Sequence, residues 1–296
     1  MLYLHDALLR DAISGAFGSV CLVAFGAPFD TVKVVAQTGG APGPLTALRR
    51  IAADSGPRAL WRGAGPALAS ALIENIVVFS ALGALHRAAR VVRGDDAPPL
   101  TFGGHAFLGA LAGIFSATAI CPAEVVKCRL QSAAVRGGPT TAKSAGALST
   151  FAGLLREGGF FGLFRGLAPL LARDVPFNAI MFAMQSSTGA LLAKPLETLG
   201  LGEGTRAALA GGFAGATAWL FVYPLDVVKS RIQVQVAESN GKPRAAAISA
   251  AFSAFTDASR EGALFRGLSA ALARAFVANG ALFWGVHVVQ SAFREK

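Results

Sequence analysis

Three stretches decide the fold: Pro28-Phe29-Asp30-Thr31-Val32-Lys33, Pro122-Ala123-Glu124-Val125-Val126-Lys127 and Pro224-Leu225-Asp226-Val227-Val228-Lys229. Each sets an acid two residues and a lysine five residues after a proline. The prolines stand 94 and 102 residues apart, and each is followed nine residues later by glutamine, at Gln37, Gln131 and Gln233. Recurrence of this kind marks tandem repeats of about 100 residues and has to be recognised before any single motif is read. Each copy also carries an aromatic-Arg-Gly triplet: Trp61-Arg62-Gly63, Phe164-Arg165-Gly166 and Phe265-Arg266-Gly267. Ahead of each proline runs a segment of small apolar residues, where Gly15/Ser19, Gly109/Gly113 and Gly211/Gly215 have the four-residue spacing that lets helices approach closely in a bilayer. The repeats are therefore expected over 1–96, 97–200 and 201–296, together forming one transmembrane unit.

Composition agrees with a lipid environment. The 296 residues are 53% hydrophobic and 15% charged, with a mean hydropathy of +0.53. The pattern predicts an all-α protein with six membrane helices in three two-helix repeats about a pseudo-threefold axis, near 12–37, 66–88, 104–132, 168–188, 206–234 and 270–290. Each is long enough to cross a hydrocarbon core of about 30 Å at about 1.5 Å per residue. Short amphipathic helices are expected at 44–53, 147–156 and 246–259, with linkers at 89–103 and 189–205. Arg49, Arg50, Lys143, Lys242 and Arg244 collect beside the amphipathic segments, which puts that side in the more negative compartment.

The opening segment carries Asp6 and Asp11 and lacks a basic stretch and a cleavage pattern, so membrane insertion through internal signals is expected. Cys21, Cys121 and Cys128 form neither a closed disulfide set nor a metal cluster, and no cofactor or metal is expected. Phosphate-binding glycine loops and nucleophile elbows are missing from the sequence, which argues against an enzyme. The net charge of +10 recurs at helix boundaries instead of filling one basic patch, so nucleic acid is not the expected partner.

A proline inside a long helix removes a backbone donor and bends the axis. Three such helices about one axis can join Asp30 to Lys127, Glu124 to Lys229 and Asp226 to Lys33. Charges at membrane depth face a cavity or one another, so these six are expected to form a gate, braced by Gln37, Gln131 and Gln233. A static structural belt is the plainer alternative.

Counting from the three Arg-Gly landmarks puts Asn75, Asn178 and Asn279 at the same offset of twelve residues. Arg173 and Arg274 share offset seven, Asp174 is at eight and Glu74 at eleven. Offsets one helical turn apart share a face, so Glu74, Arg173, Asp174 and Arg274 converge on a central cavity. Arginine grips a carboxylate with two donors, while carboxylates accept from ammonium groups. A zwitterionic amino acid with an extra cationic side chain fits two bases and two acids; a nucleotide or dicarboxylate does not. Pairing of Arg173 with Asp174 and of Glu74 with Arg274 solely to hold helices together is the competing reading.

The threefold Pro-x-acid-x-x-Lys element, the short helix, the aromatic-Arg-Gly triplet and the second span together resemble the mitochondrial carrier family over nearly the whole chain. The resemblance implies a monomeric six-helix transporter of the mitochondrial inner membrane, with both termini toward the intermembrane space and the Pro-x-acid gate toward the matrix. It also implies cardiolipin at Trp61-Arg62-Gly63, Phe164-Arg165-Gly166 and Phe265-Arg266-Gly267. Val35 departs from the family pattern in the first repeat. So do Leu82-Gly83-x-x-His86, Gln185-Ser186-x-x-Gly189 and Val286-His287-x-x-Gln290, where the family often has an ion-pair ring. The absence of that ring predicts a weak outward gate and a molecule resting open on the intermembrane-space side.

Glu74-Asn75 with Val77-Val78-Phe79, Arg173-Asp174, Trp219 ahead of Tyr223-Pro224, and Arg274 through Phe283 are similar to ornithine and basic amino-acid carriers. Arg173-Asp174 is equally similar to carnitine/acylcarnitine carriers. The resemblance implies ornithine, citrulline, lysine or arginine as substrate, exchanged by antiport. It assigns Arg173 and Arg274 to the carboxylate, Glu74 and Asp174 to amino groups, and Trp219 to the aliphatic stem. Carnitine or another cationic metabolite is the alternative.

Overall fold

The computed structural model describes residues 2–38, 49, 53, 56–61, 64–94, 97–144, 147–164, 167–238 and 268–293; side chains at 2–5, 33–38, 57, 66, 127–144, 147–148, 157–158, 169, 225–238 and 270 are outside that description. The elements are α1 (Leu2–Thr38), a 3₁₀ turn (Pro57–Trp61), α2 (Ala64–Arg93), α3 (Phe102–Ser144), α4 (Ala147–Gly162), α5 (Leu167–Thr198), α6 (Glu203–Glu238) and α7 (Leu268–Ala292). The proline motifs sit in α1, α3 and α6, and α2, α5 and α7 return from them. Among the described residues there is no strand.

Packing closes the six long helices into a ring: α1 lies against α2, α2 against α3, α3 against α5, α5 against α6, α6 against α7, and α7 back against α1. Five of them contain apolar spans long enough to cross a membrane, at Asp6–Val32, Ala67–Arg93, Phe102–Val126, Glu203–Pro224 and Ala271–Ala292. The remaining helix, α5, has its apolar run broken by Arg173, Asp174, Asn178 and the polar stretch 185–188. Its place in the ring, between α3 and α6, is nonetheless that of the other five.

Two expected linkers are shorter than the sequence suggested. The helix expected to end near 88 continues to Arg93, and the one expected to end near 188 continues to Thr198. Termination falls at Gly94 and Gly200, whose φ values of 83° and 68° suit a left-handed cap that residues with a Cβ adopt at a cost. Helix α5 thus takes up most of the linker expected at 189–205. The amphipathic segment expected at 147–156 is α4. Of 44–53 only Arg49 and Ala53 are described, and 246–259 lies outside the described residues.

The small-residue pairs do what their spacing implies. A Cβ on Gly15 would stand 2.9 Å from the Asn75 carbonyl carbon and still closer to its oxygen, and one on Gly109 would meet the Asn178 carbonyl in the same way. A Cβ on Gly113 would lie 2.9 Å from the Asp174 carbonyl oxygen. Ser19 donates from Oγ to the Ala71 carbonyl at 2.9 Å, tying α1 to α2. Each proline helix is thereby pressed onto the return helix of its own repeat at the level of the repeated asparagine.

Trp61 adds a tie of its own. An α-helical N–H at position 28 would donate to the Ala24 carbonyl, but Pro28 has none. The indole N–H of Trp61 takes that place, donating to the Ala24 carbonyl at 2.8 Å. Thr31 Oγ1 donates to the Leu60 carbonyl at 2.7 Å beside it. The proline turn of α1 is in this way fastened to the connector of the first repeat.

Candidate functional site

Inside the ring lies a central cavity of about 200 Å³. Its wall includes Glu74 and Asn75 from α2, Arg173, Asp174 and Asn178 from α5, Trp219 from α6, and Arg274 and Asn279 from α7. The seven residues that the offset argument gathers, and Trp219 from the resemblance, therefore share one cavity. Pockets for drug-sized ligands run to roughly 300–1,000 Å³, so this one suits a small metabolite.

The charges are arranged unequally. Arg173 Nε donates to Asp174 Oδ1 at 2.5 Å, and the Asp174 side chain is only 4% exposed. Its second oxygen, Oδ2, is buried and has no hydrogen-bond partner among the described residues. Glu74 and Glu124 stand within electrostatic reach of the same guanidinium. Arg274 Nε donates to Asp30 Oδ1 at 2.5 Å, and there the carboxylate is 49% exposed. Trp219 stands edge-on to Phe177, with ring centroids 5.8 Å apart, and forms an aromatic flank beside the charged groups.

The repeated asparagines line the cavity, but their amides are largely occupied. Asn75 Nδ2 donates to the Ala71 carbonyl at 3.0 Å, Asn178 to Asp174 at 2.9 Å and Asn279 to Ala275 at 2.8 Å, each four residues back along its own helix. Threefold repetition here reflects a shared packing job against the small residues of the proline helices. Beyond these bonds each amide keeps a second N–H and its Oδ1.

The expected pairing of Asp30 with Lys127 has a competitor that the sequence reading did not supply. Helix α7 packs on α1, and offset seven brings Arg274 against Asp30. The side chains of Lys33, Lys127, Asp226, Lys229, Gln37, Gln131 and Gln233 lie outside the described residues, as do Arg62, Gly63, Arg165, Gly166, Phe265, Arg266 and Gly267.

At the termini end, where α1 begins and α7 finishes, the structure departs from the expected weak closure. Phe79, Phe182 and Phe283, one from each return helix, meet edge to face with centroids 5.8, 5.8 and 6.1 Å apart. They roof the central cavity, with Val78, Met181, Leu282 and Val286 in the same buried cluster. The contact of the three rings lies on the side expected to rest open. An ion-pair template misses it, yet the offset rule finds it: all three lie sixteen residues beyond the Arg-Gly glycine, one turn past the asparagines.

Outside that roof, Gln185, Ser186, Gly189, His287 and Gln290 line a polar recess of about 430 Å³ together with Glu203 and Arg206. Phe283 borders both spaces. The positions that lack an ion-pair ring thus border water-accessible space between repeats two and three. Within repeat two, Ser186 Oγ lies 2.9 Å from His105 Nε2, and across to repeat one the His105 and His86 rings are 5.5 Å apart. Asp11, 6% exposed, accepts from Arg87 at 2.6 Å, a pair signalled only by an acid inside the first apolar run.

The mitochondrial carrier protein family model matches the chain three times, over residues 5–90, 98–195 and 203–296. The chain belongs to the mitochondrial carrier family. This carrier is 34% identical over 300 residues to a mitochondrial carnitine/acylcarnitine carrier-like protein of Arabidopsis thaliana, covering 96% of this chain and 98% of the relative. It is 33% identical over 280 residues to a mitochondrial arginine transporter of the same plant, covering 93% and 88%. With mitochondrial ornithine transporter 1 of Mus musculus the identity is 34% over 280 residues, covering 92% and 91%. This carrier is accordingly a mitochondrial solute transporter and not an enzyme, built on the three-repeat helical plan that its sequence suggested.

Proposed function

We propose that this carrier exchanges ornithine, citrulline or a related basic amino acid by alternating access at the central cavity. The observation that carries the reading is the Asp174 carboxylate: Arg173 holds its Oδ1, and the residue lines a cavity wall shared with Glu74 and Arg274. A carboxylate oxygen fixed in that way accepts from an ammonium group, and Glu74 supplies a second anionic partner. Arg274 receives the substrate carboxylate, and Trp219 lies along the aliphatic stem. The similarity to relatives named as arginine and ornithine transporters supports the same solute class.

The three repeats, 1–96, 97–200 and 201–296, act as one unit in the inner membrane, with both termini toward the intermembrane space. Asp30, Lys33, Glu124, Lys127, Asp226 and Lys229 close the matrix side, braced by Gln37, Gln131 and Gln233. Cardiolipin headgroups bind beside the three aromatic-Arg-Gly triplets, where helix starts favour phosphate. The functional unit is a monomer.

Carnitine transport is the second reading, favoured by the similarity to the carnitine/acylcarnitine carrier-like relative. Glu74 separates the two, because a quaternary ammonium has no proton to donate to it. Reconstituted carrier should take up ornithine, arginine or lysine in exchange for internal ornithine, and carnitine poorly. In Glu74→Gln, dibasic uptake should fall by about tenfold or more, the loss of one charged hydrogen bond, with an unchanged melting temperature. Equal discrimination among the four solutes in both proteins would defeat the assignment.

A further inference from the structure

The two arginines of the cavity differ in how firmly they are held. Asp174 is buried beside Arg173, on the same helix, and leaving it would strand a charge at membrane depth. Asp30 is half exposed and belongs to a different helix, α1, whereas Arg274 is on α7. Of the two carboxylate–guanidinium contacts, only the second can be exchanged without burying an unpaired group. Asp30 also belongs to the Pro-x-acid element, so one acid stands between the solute site and the gate.

We propose that Asp30 is a substrate-carboxylate surrogate: it occupies Arg274 in the empty carrier, and the carboxylate of an incoming amino acid displaces it. This rests on the basic amino-acid reading and adds to it a requirement on the solute. Displacement releases Asp30 to the lysines of the Pro-x-acid ring, so arrival of a carboxylate at the cavity is what reassembles the gate on that side. An amine without a carboxylate satisfies Asp174 and Glu74 yet leaves Arg274 on Asp30. It binds and is not carried. Asp30 thus acts as a specificity-determining residue without belonging to the permanent wall of the site.

The test uses the full chain in sealed liposomes, with ornithine and with 1,4-diaminobutane, which is ornithine lacking its carboxylate. Wild-type carrier should exchange ornithine, whereas the diamine should inhibit competitively with no entry of its own. In Asp30→Asn the half-saturating ornithine concentration should fall about fivefold, because the competing charge is gone, while the maximal exchange rate drops through loss of the gate pair. Asp226→Asn, which removes a ring acid of another repeat, should lower the rate without lowering half-saturation. An Asp30→Asn half-saturation equal to or above wild type would overturn the proposal. So would wild-type entry of the diamine as fast as ornithine, a measurement that stands even where the variant does not fold. If wild-type carrier moves no basic amino acid, the solute reading falls and takes this inference with it; the other two results remove the inference alone.

Discussion

Asp174 shows how one residue serves both folding and chemistry. Its Oδ1 neutralises Arg173, and the residue lines the central cavity. Replacing it with asparagine strands a guanidinium that is 26% exposed, so the cost is discounted from the 3–5 kcal/mol of a fully buried broken pair to about 2 kcal/mol. Asp174→Asn should therefore lower the melting temperature of purified carrier as well as abolish exchange. Equal melting temperatures for Asp174→Asn and wild type would mean that the pair contributes no stability. At this scale the sequence was informative about which residues gather, because three repeats supply an internal alignment that places Glu74, Asp174 and Arg274 by counting. It was silent on pairing. Whether Arg274 meets Glu74, Asp30 or a solute depends on how close α7 comes to α1, and no offset within one repeat contains that distance.

Among the elements, the hairpins within each repeat are the rigid parts. Gly15 allows α1 to touch the backbone of α2, and a methyl group there would collide with a carbonyl that has no rotamer to escape into. Gly15→Ala should destabilise the carrier by about 1–3 kcal/mol, as overpacking does, and lower its yield. Gly103→Ala, where nothing lies within 4 Å, should be neutral and should favour α3 slightly. Thermal unfolding of both variants side by side checks this; similar losses would mean that the close contact at Gly15 does not set the cost. The small-residue spacing was legible because close approach leaves a compositional trace. The helix ends were less so: residues 189–198 carry no decisive helix signal, and the cap at Gly200 fixes the end through a backbone angle that composition does not record.

For the molecule as a whole, closure at the termini end is aromatic where an ionic ring was the template. Phe283 borders both the central cavity and the outer recess, so its removal joins two polar spaces. Phe283→Ala should cost about 3–5 kcal/mol in stability, the usual range for deleting a buried aromatic ring. It should also let ornithine leave loaded liposomes without a counter-solute. Efflux as strictly dependent on exchange as in wild type would place the seal elsewhere. The threefold plan was readable from its prolines, while the aromatic seal went unread because phenylalanine in an apolar span looks like ordinary filling until offsets are compared.

The circle of helices has a further consequence. Each helix already has a neighbour on both flanks, so no seam remains through which a second copy would have to contribute to the route. Among the described residues the cavity is walled by one polypeptide. On the monomeric reading proposed above, crowding of copies in the bilayer would alter how many solutes cross per second without altering what any one copy can do.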